Sequence, residues 1–196
     1  MLLSFLLIAA TPLGSVGQTA ASIELGYPRV PRVAVTFAVH PRFRVGAAGS
    51  LDLGRFSYAT SAALSPAGGV SIPMQLSALN ADKLEWTFSF EPGAFLAVAA
   101  STGFGLQLNV GSELKGRVSD AIALGVAIDV PLSLLIIPRV FVNAPVLVGP
   151  TFYAQVSATV RLFVRAQAGP GLTPLLAQGV GPYFALLATA GASFAL

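Results

Sequence analysis

The sequence predicts an all-β protein, a single antiparallel transmembrane β-barrel. Three observations carry this reading. Hydrophobic residues make up 55% of the 196-residue chain and charged residues only 10%, whereas a soluble domain carries about 25% charged residues. Apolar residues alternate with small or polar ones on a two-residue beat, which is the period of a strand and not of a helix. That beat continues to the last residue, through Phe184, Leu186, Ala188, Ala190, Ala192, Phe194 and Leu196.

A chain that crosses a membrane satisfies every backbone polar group internally, so it is a helix bundle or a closed barrel. The helical alternative rests on Ala121 to Pro138, 18 residues with one charge, close to the length of a spanning helix. Alternation argues against it. From Phe152 to Ala168 the even-numbered residues are apolar, while Gln155, Ser157, Thr159, Arg161, Arg165 and Gln167 share the other parity. On a helix these polar groups would surround the axis; on a strand they point one way. The same beat sets Leu84, Trp86, Phe88 and Phe90 against Glu85, Thr87, Ser89 and Glu91. A soluble sandwich also alternates, but its outer face needs solvated Lys and Glu. Here the second face is mostly Ala, Gly, Ser and Thr.

Along the chain, an apolar run, a Pro-Leu-Gly break and small residues resemble a secretory signal peptide. Ser15 and Gly17 place cleavage before Gln18, with Thr19 and Ala21 as a second site; no Lys or Arg precedes the run. The expected organisation is an export segment over 1–17, reaching 21 at the second site, and one barrel domain over 18–196. Candidate strands are 20–27, 31–40, 42–51, 55–65, 69–79, 83–91, 94–110, 120–134, 138–148, 151–168, 172–180 and 182–196. Pro and Gly signals separate them, among them "EPG", "VGP" and "AGPG". Pro73, Pro145 and Pro174 interrupt candidate strands, and 111–120 reads as the longest polar loop. Ten to twelve strands are expected, with eight also open, since single-chain bacterial barrels have even counts.

The terminal beat, the export-like start and the repeated alternation resemble the bacterial outer-membrane β-barrel class. That resemblance implies an outer-membrane location, with the lipid bilayer and the outer-membrane assembly machinery as partners. It also implies that the last strand is the assembly signal, carried by Phe184, Leu186, Phe194 and Leu196. The chain departs from the class by ending in Leu196, with the aromatic at Phe194.

Chemistry-bearing residues are sparse. Cysteine is absent, which removes disulfides, thiolate metal sites and a Cys nucleophile. His40 is the only histidine. With Ser61 or another Ser and an acid such as Glu85 it has the residue types of a lipid-acting hydrolase, but no G-x-S-x-G is present, and a strand-end residue beside Pro41 also reads as part of a turn. No metal ligand cluster, cofactor motif or basic patch for nucleic acid is visible. Arg44, Asp52, Glu85, Glu91, Asp129, Arg161 and Arg165 are expected to face the lumen. Two readings follow. Either a wet lumen passes small solutes, or Arg–carboxylate pairs cross a narrow lumen and lock it, since unpaired buried charge is costly. The expected role is non-enzymatic: a narrow, porin-like passive channel or a structural barrel. A lipid-acting enzyme around His40 and a carrier of an apolar ligand or lipid are the alternatives.

Overall fold

The computed structural model describes residues 16–27, 29–53, 66–98, 102–137, 140–175 and 179–196. They form β1 (Thr19–Tyr27), β2 (Arg29–His40), β3 (Phe43–Leu53), β4 (Pro66–Ser71), β5 (Met74–Asn80) and β6 (Leu84–Val98). β7 (Thr102–Arg117), β8 (Ile122–Ile137), β9 (Phe141–Pro145), β10 (Leu147–Gln155), β11 (Val160–Leu175) and β12 (Gly179–Ala195) follow. All pairings are antiparallel. The ring closes where β12 pairs with β1, from Ala20 opposite Ala195 to Tyr27 opposite Ala188.

The twelve segments make ten staves. β4 and β5 both pair with β3 and β6, so they are two halves of one stave broken at Ile72 and Pro73. β9 and β10 both pair with β8 and β11, and that stave is broken at Val146. The ladder continues past both breaks. Ile72 N–H donates to the Pro92 carbonyl and Val146 N–H to the Pro170 carbonyl, each at 2.9 Å. The prolines thus gather around points where the ladder is already irregular. The described residues contain no helix. The apolar stretch weighed as a spanning helix is β8.

Several expected boundaries are corrected. Glu91-Pro92-Gly93 lies inside β6, Gly149-Pro150 inside β10, Gly169-Pro170-Gly171 inside β11 and Gly181-Pro182 inside β12. The turns are built by other means. Ala81 and Leu84 exchange backbone bonds of 2.8 and 3.3 Å around Asp82-Lys83, a two-residue hairpin loop. Ser119 Oγ accepts from the Ile122 N–H at 3.1 Å, and Ser157 Oγ from the Val160 N–H at 3.1 Å. Serine hydroxyls that bond the local backbone in this way make turns without Gly or Pro. The expected strand 151–168 is therefore a hairpin, and the expected loop 111–120 is largely strand, since β7 runs to Arg117. The candidate strand 55–65, Ser61 and residues 1–15 of the export segment lie outside the described residues.

Large exposed apolar side chains are odd-numbered from Ile23 to Leu51 and even-numbered from Val70 to Leu196. Leu79 departs from this where a bulge follows Ser77. The beat survives each later hairpin because partners share parity: Phe90 faces Val110, Val110 faces Val130, and Gln155 faces Arg161. Cross-strand partners lie on one face of the sheet, so the outer wall stays apolar through every turn.

Inside, small residues make room for a few rings. Phe95 is paired with Gly105, Phe163 with Gly191 and Tyr183 with Gly171. In each case a Cβ on the glycine would collide with the ring opposite. Phe95, 2% exposed, also packs with Ala67, Ala97 and Leu135 near the end of the barrel away from the tight turns. Gly191→Ala is expected to lower stability by about 1–3 kcal/mol through overpacking, read as a lower urea midpoint of the refolded barrel. An unchanged midpoint would show that Phe163 does not depend on the gap.

Candidate functional site

The half of the lumen nearer the tight turns holds a cavity of about 290 Å³. Ten charged side chains line it. Five are acidic (Glu24, Glu85, Glu91, Glu113 and Asp129) and five basic (Arg32, Arg44, Lys115, Arg161 and Arg165). They arise from one local rule. Each sits at an inward position of its strand, most of them between outward apolar residues, as Glu85 does between Leu84 and Trp86.

Two groups of three tie opposite walls together. On β2, Arg32 Nη2 reaches Glu91 Oε2 of β6 at 2.8 Å and its Nε donates to Oε1 at 3.3 Å. Glu24 of β1 completes the group at 3.8 Å, and Ser71 Oγ donates to Glu91 Oε1 at 2.6 Å. On β11, Arg165 lies 3.1 Å from Asp129 of β8 and 3.9 Å from Glu113 of β7. Tyr153 O–H and Thr151 O–H donate to Glu113 at 2.8 and 2.6 Å. Gln167 Nε2 donates to Asp129 Oδ2 at 2.6 Å. The bonds of Arg32 to Glu91, of Arg165 to Asp129 and Glu113, of Gln167 to Asp129 and of Tyr153 and Thr151 to Glu113 skip one or more staves and so cross the lumen, whereas Glu24–Arg32 and Ser71–Glu91 join neighbouring staves. A two-pronged guanidinium suits this, because it serves two carboxylates in a fixed geometry.

Nearer the turns, Lys115 pairs with Glu85 at 3.0 Å and lies 4.7 Å from the Tyr153 ring centroid. Arg161 Nε donates to Gln155 Oε1 at 3.1 Å. Above them a shallow cleft opens between the β5–β6, β7–β8 and β10–β11 turns, and it shares Glu85, Lys115, Tyr153 and Arg161 with the cavity.

Of the residues singled out from sequence, Arg44, Glu85, Glu91, Asp129, Arg161 and Arg165 line the cavity. Asp52 is an inward residue of β3, 1% exposed, and is not part of that lining. Phe184, Leu186 and Phe194 point outward on β12, and Leu196, one residue past its end, is exposed. Glu113 and Lys115 were hidden by reading 111–120 as a loop. Their signal is Leu114, which carries the even-numbered beat past the polar Ser112. Ser112 itself faces outward, where its Oγ accepts from Trp86 Nε1 at 2.8 Å. Glu24 and Arg32 carry only the alternation of their strands, which does not tell which charges meet across a lumen.

His40 ends β2 on the surface, and its Nδ1 accepts from the Arg42 N–H at 3.1 Å. Glu85 faces Lys115 inside the barrel, so the structure does not bring Glu85 and His40 together. The apolar-ligand reading meets a lining of ten charges, which suits polar solutes better. No group of three metal-ligating side chains occurs among the described residues.

No family model matches the chain, and no curated protein matches it. Among solved structures, the chain is similar to the outer membrane protease OmpT from Escherichia coli, at 10% identity and a TM-score of 0.43. The match covers 92% of this chain and 94% of that one. The expectation that the protein is not an enzyme is corrected by this match, because the matched barrel is a protease. At this level of similarity none of that protein's activity carries over to this chain.

Removing the guanidinium between Asp129 and Glu113 leaves two carboxylates facing each other. Arg165→Leu is therefore expected to cost about 1–3 kcal/mol, seen as a lower urea midpoint. Adding Glu113→Gln and Asp129→Asn to the same chain is expected to recover part of the loss. No recovery in the triple variant would mean that Arg165 acts by packing alone.

Proposed function

We propose that the protein is an outer-membrane barrel with a lumen shut to through-flow: a structural barrel enclosing a blind polar chamber that opens at the tight-turn rim. The carrying observation is the division of the interior. One half holds the charged cavity; the other is filled by Phe95, Ala67, Ala97 and Leu135. Buried Gln107, Ser133 and Asn143 add to that filling, and Tyr183 O–H donates to Asn143 Oδ1. Ten staves make a narrow lumen, and groups of this size are enough to block it.

Membrane insertion is supported by the outward wall. Its large exposed side chains are apolar on every stave, and an exposed apolar surface that extensive marks a lipid or protein contact. Trp86, Phe152 and Phe194 lie on the outer wall toward the turn rim and Phe184 toward the other end, as in the aromatic girdles of membrane barrels. Both β1 and β12 meet the rim at the chain-terminal ends of their strands, so the ring closes on the segment proposed as the assembly signal.

Detergent-folded protein is expected to migrate faster on SDS gels unboiled than boiled, because a ring without free edges resists SDS. In planar bilayers the wild type is expected to stay silent, and a Phe95→Ala/Leu135→Ala variant to conduct. Steady conductance by the wild type would replace the closed barrel with the narrow channel.

A further inference from the structure

The charges that line the chamber leave little for a charged ligand. Five acids and five bases sum to zero. Each of the five carboxylates has a guanidinium or ammonium group at 2.8–3.9 Å. Arg161 is held by Gln155 Oε1 at 3.1 Å, and Arg44 is engaged as well.

What the wall leaves unmet is neutral. Among the described residues, Asn109 Nδ2 and Gln167 Oε1 are buried atoms of the cavity lining with no hydrogen-bond partner. Gln167 is 3% exposed. Its Nε2 donates to Asp129 Oδ2 at 2.6 Å and to the Ala127 carbonyl at 3.3 Å. Both of those are acceptors, so the amide is fixed with its oxygen as the unmet end. Asn109 is the register partner of Glu91. Each crossing group thus has one unmet amide atom beside it, a donor near Glu91 and an acceptor near Asp129. Asn109 lies deeper than Glu113 on β7, and Gln167 deeper than Arg165 on β11, so both belong to the floor of the chamber. A buried polar group without a partner is costly, and a ligand that meets it removes that cost.

We propose that the chamber is a binding site for a neutral polyol of monosaccharide size, held at its floor by Asn109 and Gln167. A hydroxyl both donates and accepts, so one kind of group answers both amides. It also reproduces the hydrogen bonds of the water it displaces. The Tyr153 and Phe163 rings line the same cavity, with centroids 6.3 Å apart and planes 37° from parallel. The face of an aromatic ring is negative and attracts the C–H groups that a sugar ring carries between its hydroxyls. A simple amide would answer the donor and the acceptor but would bring no such C–H face to the rings. The volume of about 290 Å³ lies at the small end of ligand pockets, roughly 300–1,000 Å³, which suits one sugar ring and not a chain of them. The site rests on the reading of a chamber open at the tight-turn rim, but not on the barrel being closed to ions.

The test uses the full chain folded in an amine-oxide detergent, which has no sugar head. D-Glucose and D-galactose serve as neutral probes. D-Glucosamine and D-glucuronate, at mildly acid pH, put a positive and a negative charge on a ring of the same size. Each is titrated and followed by saturation-transfer NMR from the protein to the sugar protons, with transfer from protein-free micelles subtracted. Saturable transfer to at least one neutral sugar is expected with the wild type. Both charged sugars are expected to bind about fivefold more weakly or worse, since neither finds a free counter-charge. Gln167→Met is expected to weaken binding of the neutral sugar about fivefold, the worth of one neutral hydrogen bond, and Asn109→Leu/Gln167→Met to abolish saturation. Arg42→Gln, on the exposed β2–β3 turn, is expected to leave binding unchanged. Strand circular dichroism and the heat-dependent gel shift confirm that each variant folds. No saturable transfer to either neutral sugar would overturn the site, as would undiminished binding by the folded double variant. Tighter binding of a charged sugar would overturn the neutral ligand. Bilayer conductance reads the closed barrel separately, so failure of one reading is distinguishable from failure of the other.

Discussion

The pairing of β1 with β12 is the constraint on which the rest of the structure depends. Once the ring is closed, backbone donors and acceptors are used along the wall, and each side chain has only two places to go. Ten staves enclose little space. The inner face is accordingly filled with small residues, and Ala34, Ala38, Ala127 and Ala185 are almost wholly buried. Larger inward groups are admitted only where a neighbour gives way, as Gly105 does for Phe95.

The same shortage of space explains how charge is stored inside. A long guanidinium side chain can reach across several staves because the residues beside it are small: Arg32 is followed inward by Ala34 and Thr36. Reaching across also lets it find carboxylates on distant strands, while Lys115–Glu85 and Arg32–Glu24 pair between neighbours; either way the inward charge is compensated. The far half took the other solution, apolar packing and a few satisfied polar groups. The cavity is what remains between the two solutions.

Closed all-β architecture was legible in the sequence because it depends on alternation, and alternation is local. Individual strand ends were not legible. Hairpin partners share parity, so the beat passes through Val156–Thr159 as if no turn were there. Prolines that read as punctuation, such as Pro92 and Pro170, sit in strands beside the two broken staves. The turns use serine hydroxyls and Asp82-Lys83, which leave a weaker trace. Inward charges on β6, β8 and β11 could be picked out by parity. Their partners could not, because which charge meets which depends on how the staves are arranged round the ring. Glu113 and Lys115 fell to a single outward Ser112, whose hydroxyl is satisfied by Trp86 in a way no pattern records.

The unbroken beat also affects how the chain finds its final arrangement. Sliding one hairpin past its neighbour by two residues leaves every apolar side chain on the outer wall, so the outer wall cannot detect the error. Only the inside can. A slid β7 would take Gly105 away from the Phe95 ring, and a slid β11 would separate Arg165 from Asp129. The scattered interior features thus act as a proofreading set. They reject near-correct arrangements that the apolar outer wall would accept, and they are spread over several staves.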